Sequence, residues 1–180
     1  MLEKKKALRK IIKVRVSAIS ANERQKREEI LHNNLFSMPE FLSAESVMLF
    51  ANLPDEIDTF SLIDKCFAMG KKVYLPVING DDMIVAEFTG EFKEGRFGIK
   101  EPVIDTTLPT LTPNSIDFAL VPGVGFSPSG YRLGRGKGYY DKFLSKYSNL
   151  YTVGICFREQ FYLDIPTEPH DIPMNKVLVI

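Results

Sequence analysis

The sequence predicts an α/β fold: a single three-layer domain over residues 1–180, a mainly parallel sheet flanked by helices on both faces. Three observations predict it. Short apolar runs, SVMLF (46–50), KVYLP (72–76), DFALVP (117–122), YTVGICF (151–157) and KVLVI (176–180), have the length of buried strands. Segments with helical spacing lie before and between these runs. The stretch from Ser46 to Pro76 reads strand, helix, strand in about 30 residues, which is what a parallel crossover requires.

The elements follow in order. Leu8, Ile11, Ile12, Val16 and Ile19 recur at helical spacing over 2–19, with Lys4, Lys5, Lys6, Arg9, Lys10 and Lys13 filling much of the remainder. Ser20-Ala21-Asn22-Glu23 is a capping-box pattern, so a second helix starts there and runs to about Phe36, with Pro39 as punctuation. Thr59 to Met69 puts Leu62, Ile63, Cys66 and Phe67 on one helical face, and Gly70 suits the C-cap. MIVAEF (83–88) is a weaker strand, and Thr89–Asn114, rich in Gly, Pro and Thr, reads as irregular. Gly138–Tyr147 is the last predicted helix. There is no internal repeat and no composition shift that would mark a domain boundary.

Composition limits the function. The chain is 44% hydrophobic and 26% charged, with 23 basic against 23 acidic residues, so any affinity for phosphate must come from local clustering. Cys66 and Cys156 stand far apart in apolar contexts, which suits buried, reduced thiols and a cytoplasmic protein. No apolar run approaches the roughly 20 residues of a membrane span. The basic N-terminus lacks the apolar core of a secretory signal and reads as a domain helix.

RLGRGKGYYD (132–141) is the stretch that carries chemistry. It lies past the carboxyl end of a predicted strand and opens a helix, where α/β sheets place ligands. Its glycines let backbone N–H groups converge on an anion. A helix N-terminus adds about half a positive charge. Arg132, Arg135 and Lys137 add three mobile cations, so the expected ligand is a polyphosphate. Neither GxxxxGK[ST] nor GxGxxG fits: Tyr131 and Gly138 break the first, and Gly138 comes one residue early for the second. A solvated basic loop is the plain alternative. Asp141 suits Mg²⁺, which is held by one or two carboxylates plus substrate phosphates. An acid favoured by the helix dipole is its plain alternative.

The block VPGVGFSPSGYRLGRGKGYYDKFL (121–144) resembles the signature of the 5-formyltetrahydrofolate cyclo-ligase (5,10-methenyltetrahydrofolate synthetase) family. KKALR (5–9), DEIDT (55–59), LP (75–76), GIKEP (98–102) and EPHD (168–171) agree in order and spacing. The resemblance implies an ATP-dependent, Mg²⁺-assisted conversion of 5-formyltetrahydrofolate to 5,10-methenyltetrahydrofolate, with release of ADP and phosphate. It implies that ATP is held by Lys5 and Arg9 and by the loop Arg132-Leu133-Gly134-Arg135-Gly136-Lys137-Gly138-Tyr139-Tyr140. It implies Arg135, Lys137 and Tyr139 as catalytic residues, with Ala51, Glu56, Arg135 and Tyr139 on the folate and Asp141 and Asp171 on the metal. A carboxylate at Glu56 is chemically apt, because it accepts paired hydrogens from a pterin's amino and ring N–H groups. The sequence departs from the family at Asn175, where relatives commonly carry an acid.

The expected protein is a monomer that binds neither nucleic acid nor membrane. Three other functions compete with the ligase. An esterase would use Ser127 or Ser129 with His170, but GFSPS lacks the closing glycine of a nucleophile elbow. A nucleic-acid binder would use the basic first helix and the cation–aromatic mix of the loop. A non-catalytic folate or nucleotide carrier would bind both ligands without turnover. Phe126 reads as a packing residue.

Overall fold

The structure, a computed structural model, describes residues 1–94, 100–104, 115–147 and 149–180. Two helices lead, α1 (Leu2–Ser17) and α2 (Ala21–Phe36). The Ser20 hydroxyl accepts the Glu23 N–H at 3.2 Å and so caps α2 as the sequence predicts. Pro39 does more than punctuate: it opens a one-turn helix, α3 (Pro39–Ser43), where its fixed φ and missing N–H suit a first-turn position. The chain then forms β1 (Ser46–Met48), α4 (Phe60–Ala68), β2 (Lys72–Asn79) and β3 (Asp82–Glu94). Helix α4 ends with Gly70 N–H on Phe67 O (2.9 Å) and Lys71 N–H on Cys66 O (3.1 Å), a Schellman closure. There follow β4 (Lys100–Ile104), β5 (Phe118–Val121), β6 (Gly125–Phe126), β7 (Arg132–Leu133), α5 (Tyr139–Leu144), β8 (Tyr151–Cys156), a 3-10 turn at Arg158–Gln160, and β9 (Lys176–Val179).

Seven strands form one sheet in the order β4-β3-β2-β1-β5-β8-β9. The five from β2 to β9 are parallel, while β3 and β4 are added antiparallel at one edge. The predicted irregular stretch is thus partly wrong, because Thr89–Glu94 continues β3 and Lys100–Ile104 is β4; residues 95–99 and 105–114 lie outside the described residues. Ring contacts explain the extension. Phe88 and Phe92 meet at 4.6 Å, and Phe67 and Phe60 of α4 pack on them at 5.4 and 5.3 Å. This apolar anchoring outweighs the turn-forming Thr and Gly between them.

Side chains alternate across the strands, giving two cores. Val47, Val73, Leu75, Phe118, Leu120 and Val153 pack with Ile12 and Val16 of α1, Leu31 and Leu35 of α2, and Leu62 and Ile63 of α4. Met48, Tyr74, Ala119, Val121 and Cys156 face the other way, onto Phe126, Phe143, Leu144 and Met174. Both faces are covered as predicted, but unequally. Among the described residues, the second face is covered by the six-residue α5, the β6–β7 hairpin and loop residues such as Met174. Phe126 at the hairpin start is fully buried, and its ring lies where a Cβ on Gly154 would stand.

Gly154→Ala therefore overpacks this face. Its urea midpoint falls by the equivalent of about 1–3 kcal/mol at unchanged m, and the loss shrinks in a Phe126→Leu background. Equilibrium unfolding of the two variants checks this.

Candidate functional site

The strand order grows in opposite directions from β1 and β5, so these neighbours form the topological switch point. The segments leaving their carboxyl ends part to leave a cleft of about 210 Å³, lined by Pro54, Asp55 and Glu56 on one side and Gly123 and Val124 on the other. Ile12, Lys13, Val16 and Ser17 of α1, Arg24 of α2, Arg135 and Gln160 complete it. Arg135 reaches from the glycine loop across to the acids: Nη2 donates to Asp55 Oδ1 (2.8 Å) and Glu56 Oε1 (2.9 Å), and Nε also donates to Glu56 Oε1 (3.1 Å). Glu56 Oε2 accepts the Leu53 N–H at 2.9 Å. Partial burial pushes the Asp55 carboxyl up, but the hydrogen bond and charge of Arg135 outweigh it and hold the group below the usual range.

The glycine loop rests on α1. Lys5 and Arg9 are one helical turn apart and share a face. Arg9 Nε donates to Gly134 O at 2.8 Å, and its guanidinium lies against Gly136. Gly136 and Gly138 take φ of +99° and +71°, conformations that side-chain-bearing residues adopt only with strain. Gly138 is the N-cap of α5, which is shorter than predicted: Gly138 lies outside the helix, and the chain leaves it after Leu144 in 3-10-type bonds (Lys146 N–H to Phe143 O, Tyr147 N–H to Leu144 O, both 3.0 Å). A helix of this length brings less dipole, so the positive field rests on side chains.

Those side chains differ from expectation in one respect. Arg132 is not a mobile cation. As part of β7 it is 7% exposed; Nη2 donates to Asp141 Oδ2 at 2.9 Å, and the guanidinium stacks over Tyr140 at 5.4 Å. Its Nη1 is buried and has no partner among the described residues. Leu133 is likewise turned into the core, so only its backbone is available to a ligand. Lys137 is exposed and makes no hydrogen bond or ion pair among the described residues. Tyr139 is partly buried, with its hydroxyl 3.5 Å from Gly80 O. Burial pushes the Tyr140 hydroxyl well above the ordinary phenol range. Ala51 is half-buried past the end of β1.

The predicted metal residues are both engaged. Asp141 Oδ1 accepts the Ile172 N–H at 3.2 Å, which ties the start of α5 beside the segment carrying Asp171. Ligand atoms of Glu168, His170 and Asp171 lie within 4.8 Å of one another. Lys5 Nζ stands between two of them, donating to Glu168 Oε2 (2.9 Å) and Asp171 Oδ2 (2.8 Å). Burial pushes Asp171 up, yet the bonds from Lys5 and the Glu168 N–H, with the Lys5 charge, hold it below the usual range. A hard oxygen set already arranged around one cation fits Mg²⁺. Asn175 lies elsewhere: its Oδ1 accepts the Thr152 N–H (2.8 Å) and hydroxyl (2.9 Å), bonds that an acid would accept equally.

The structure brings Lys5, Arg9, the glycine loop, Asp141 and Asp171 into one connected network and links that loop to Glu56. The esterase pair is not assembled. Ser127 is 2% exposed with its hydroxyl on Ser129 Oγ (2.9 Å), whereas the polar neighbour of the exposed His170 is Asp171. Sequence reading missed Asp55, Glu168 and the two cleft-side residues Arg24 and Gln160. DEIDT and EPHD contain the first two; no local signal marks the others.

The sequence and fold of the chain match known proteins. A sequence model of the 5-formyltetrahydrofolate cyclo-ligase family matches residues 1–180. Mouse 5-formyltetrahydrofolate cyclo-ligase is 30% identical over 187 residues, spanning 97% of this chain and 92% of that protein. The NMR structure of 5,10-methenyltetrahydrofolate synthetase from Aquifex aeolicus superposes with TM-score 0.83 at 32% identity, covering 97% of this chain and 89% of that one. The corresponding structure from Mycoplasma pneumoniae gives 0.73 at 26% identity, covering 96% of each.

The Lys5 contact yields a pH prediction. Lys5→Met strands two carboxylates and costs about 1.5–3 kcal/mol at neutral pH, the usual loss for a hydrogen bond to a charged group. The folded pKa of Asp171 lies below its unfolded value. The stability difference between wild type and variant is therefore full above about pH 4 and narrows as pH falls through the folded pKa. Urea titrations across that range measure it.

Proposed function

The chain belongs to the 5-formyltetrahydrofolate cyclo-ligase family, and from that premise we propose how its own residues carry out the ATP-dependent closure of 5-formyltetrahydrofolate to 5,10-methenyltetrahydrofolate. In this reaction the formyl oxygen takes the γ-phosphoryl group of ATP. N10 then attacks the formyl carbon and loses its proton, and the C–O bond breaks to release phosphate. The difficulty is bringing an amide oxygen and a phosphoryl group together while neutralising charge.

One observation carries the assignment: Arg135 spans the cleft from the glycine loop to Glu56. In this reading the loop with Lys5 and Arg9 holds the triphosphate, Glu56 accepts the pterin hydrogens beside Ala51, and the reacting atoms meet where Arg135 now lies. Folate entering the Glu56 side displaces Arg135, which then faces the transferring group together with Lys137. The buried, partnerless Nη1 of Arg132 supports an anion or water at the base of the loop. Tyr139 stands at the junction and Tyr140 packs behind it. Asp141 and Asp171, with Glu168 beside them, are the residues to hold Mg²⁺; when bound, the ion neutralises phosphate charge. Lys5 is then free to contact phosphate. A nucleic-acid role has less support, since 23 acidic residues balance the 23 basic ones. We place the whole of 1–180 as one monomeric catalytic unit in the cytoplasm, where its two free, buried cysteines stay reduced.

Purified protein mixed with 5-formyltetrahydrofolate and Mg·ATP produces the methenyl chromophore, and omission of ATP abolishes it. Binding of both ligands without ADP release would favour the carrier reading. Lys137→Ala lowers kcat by about 10²–10³-fold with an unchanged circular-dichroism spectrum; wild-type turnover would remove its role. Glu56→Gln raises KM for the folate more than KM for ATP, and equal increases contradict the pterin assignment.

A further inference from the structure

The loop bearing Asp55 and Glu56 is fastened by α2 as well as by Arg135 across the cleft. Arg24 Nη1 donates to the Glu56 carbonyl at 2.9 Å. Two residues on, the Asp58 N–H donates to Glu28 Oε1 at 3.0 Å. Arg24 and Glu28 are four apart on α2 and so act from one helical face. Burial pushes the Glu28 carboxyl up, which marks it as held away from water. The Arg24 guanidinium also stacks on the Phe157 ring at 4.8 Å. Phe157 is fully buried, and its N–H donates to Gln160 Oε1 at 2.9 Å. Gln160 Nε2 in turn donates to the carbonyls of Gly123 (3.3 Å) and Val124 (3.1 Å), the opposite wall of the cleft. Arg24 thus touches the acid loop directly and, through Phe157 and Gln160, the facing wall.

We propose that Arg24 and Glu28 are positioning residues for Glu56: they fix the backbone immediately after it, so that its carboxylate projects into the cleft at the spacing the folate requires. The proposal rests on the assignment of Glu56 to the folate. The Glu56 N–H is held by the Leu53 carbonyl (2.9 Å), and Arg24 grips the carbonyl that follows; these two peptide planes determine where the Glu56 Cα–Cβ bond points, and Glu28 anchors the next plane along. Arg24 and Glu28 act through Glu56 and not on the reacting atoms. Their loss therefore weakens folate binding and spares the phosphoryl-transfer step.

The test is steady-state kinetics on the full chain for Arg24→Met, Glu28→Gln, Glu28→Leu, Glu56→Gln and the double variant Arg24→Met/Glu56→Gln. Arg24→Met raises KM for 5-formyltetrahydrofolate about tenfold, the equivalent of one charge-assisted hydrogen bond, with kcat and KM for ATP within about twofold. Glu28→Leu does the same, whereas Glu28→Gln keeps the acceptor oxygen and stays near wild type. The double variant is no worse than Glu56→Gln alone, because a misdirected glutamine has nothing further to lose. If Glu56→Gln raises the folate KM but Arg24→Met and Glu28→Leu do not, the positioning role is wrong. If Arg24→Met raises both KM values equally, its role is general structural support and the proposal fails. If Glu56→Gln leaves the folate KM unchanged, the Glu56 assignment itself falls, and the positioning role with it. Should Arg24→Met not fold, Glu28→Leu, which leaves the Arg24–Phe157 stack in place, gives the same decision.

Discussion

The contact between Arg135 and the Asp55–Glu56 pair sets the width of the cleft. Sheet hydrogen bonding fixes β1 beside β5 but does not fix the segments that leave their carboxyl ends in diverging directions. A guanidinium holding two carboxylates from a loop some 80 residues away supplies that constraint. Its strength is moderate. Arg135 is 45% exposed, and ion pairs of this exposure contribute about 0–1 kcal/mol net. The contact therefore defines a geometry without locking it, and a ligand offering Glu56 better-matched donors can replace it.

Behind this adjustable contact stand rigid ones. Phe126 fills the space over Gly154 on one face of the sheet. The β6–β7 hairpin that carries it also carries Arg132 into the interior, where Asp141 meets it. The glycine loop thus leaves a fixed platform and returns to one, with the exposed cation Lys137 at the tip and Arg9 bracing its middle. Backbone freedom is confined to the few residues proposed to wrap an anion, while both ends are held by buried packing.

The central strands were legible because they are buried on both faces: FALV and YTVGIC read as continuous apolar runs whatever their neighbours. The added edge was not. Strand β3 continues through Thr89 and Gly90 only because the rings of α4 hold Phe88 and Phe92, a tertiary effect with no local signature. In the site, residue types were legible and partnerships were not. Glycines and cations suggest an anion site, and the family resemblance supplied Glu56 and Asp171 as candidates. That Lys5 would grip an acid 166 positions away, or that Arg132 would be buried beside Asp141, depends on how the chain ends and the hairpin meet. Nothing in the spacing of the sequence encodes that meeting.

The ammonium of Lys5 has a consequence for how the molecule waits between turnovers. Acids gathered for a divalent ion repel one another when the ion is gone, and many such clusters spring open or fray. Here a side chain from the first helix stands between Glu168 and Asp171 and joins the two ends of the chain. The ion pairs of Lys5 tie the first helix to the segment carrying Glu168 and Asp171. On the proposed metal assignment, the Lys5 ammonium would hold both carboxylates whenever no ion is bound.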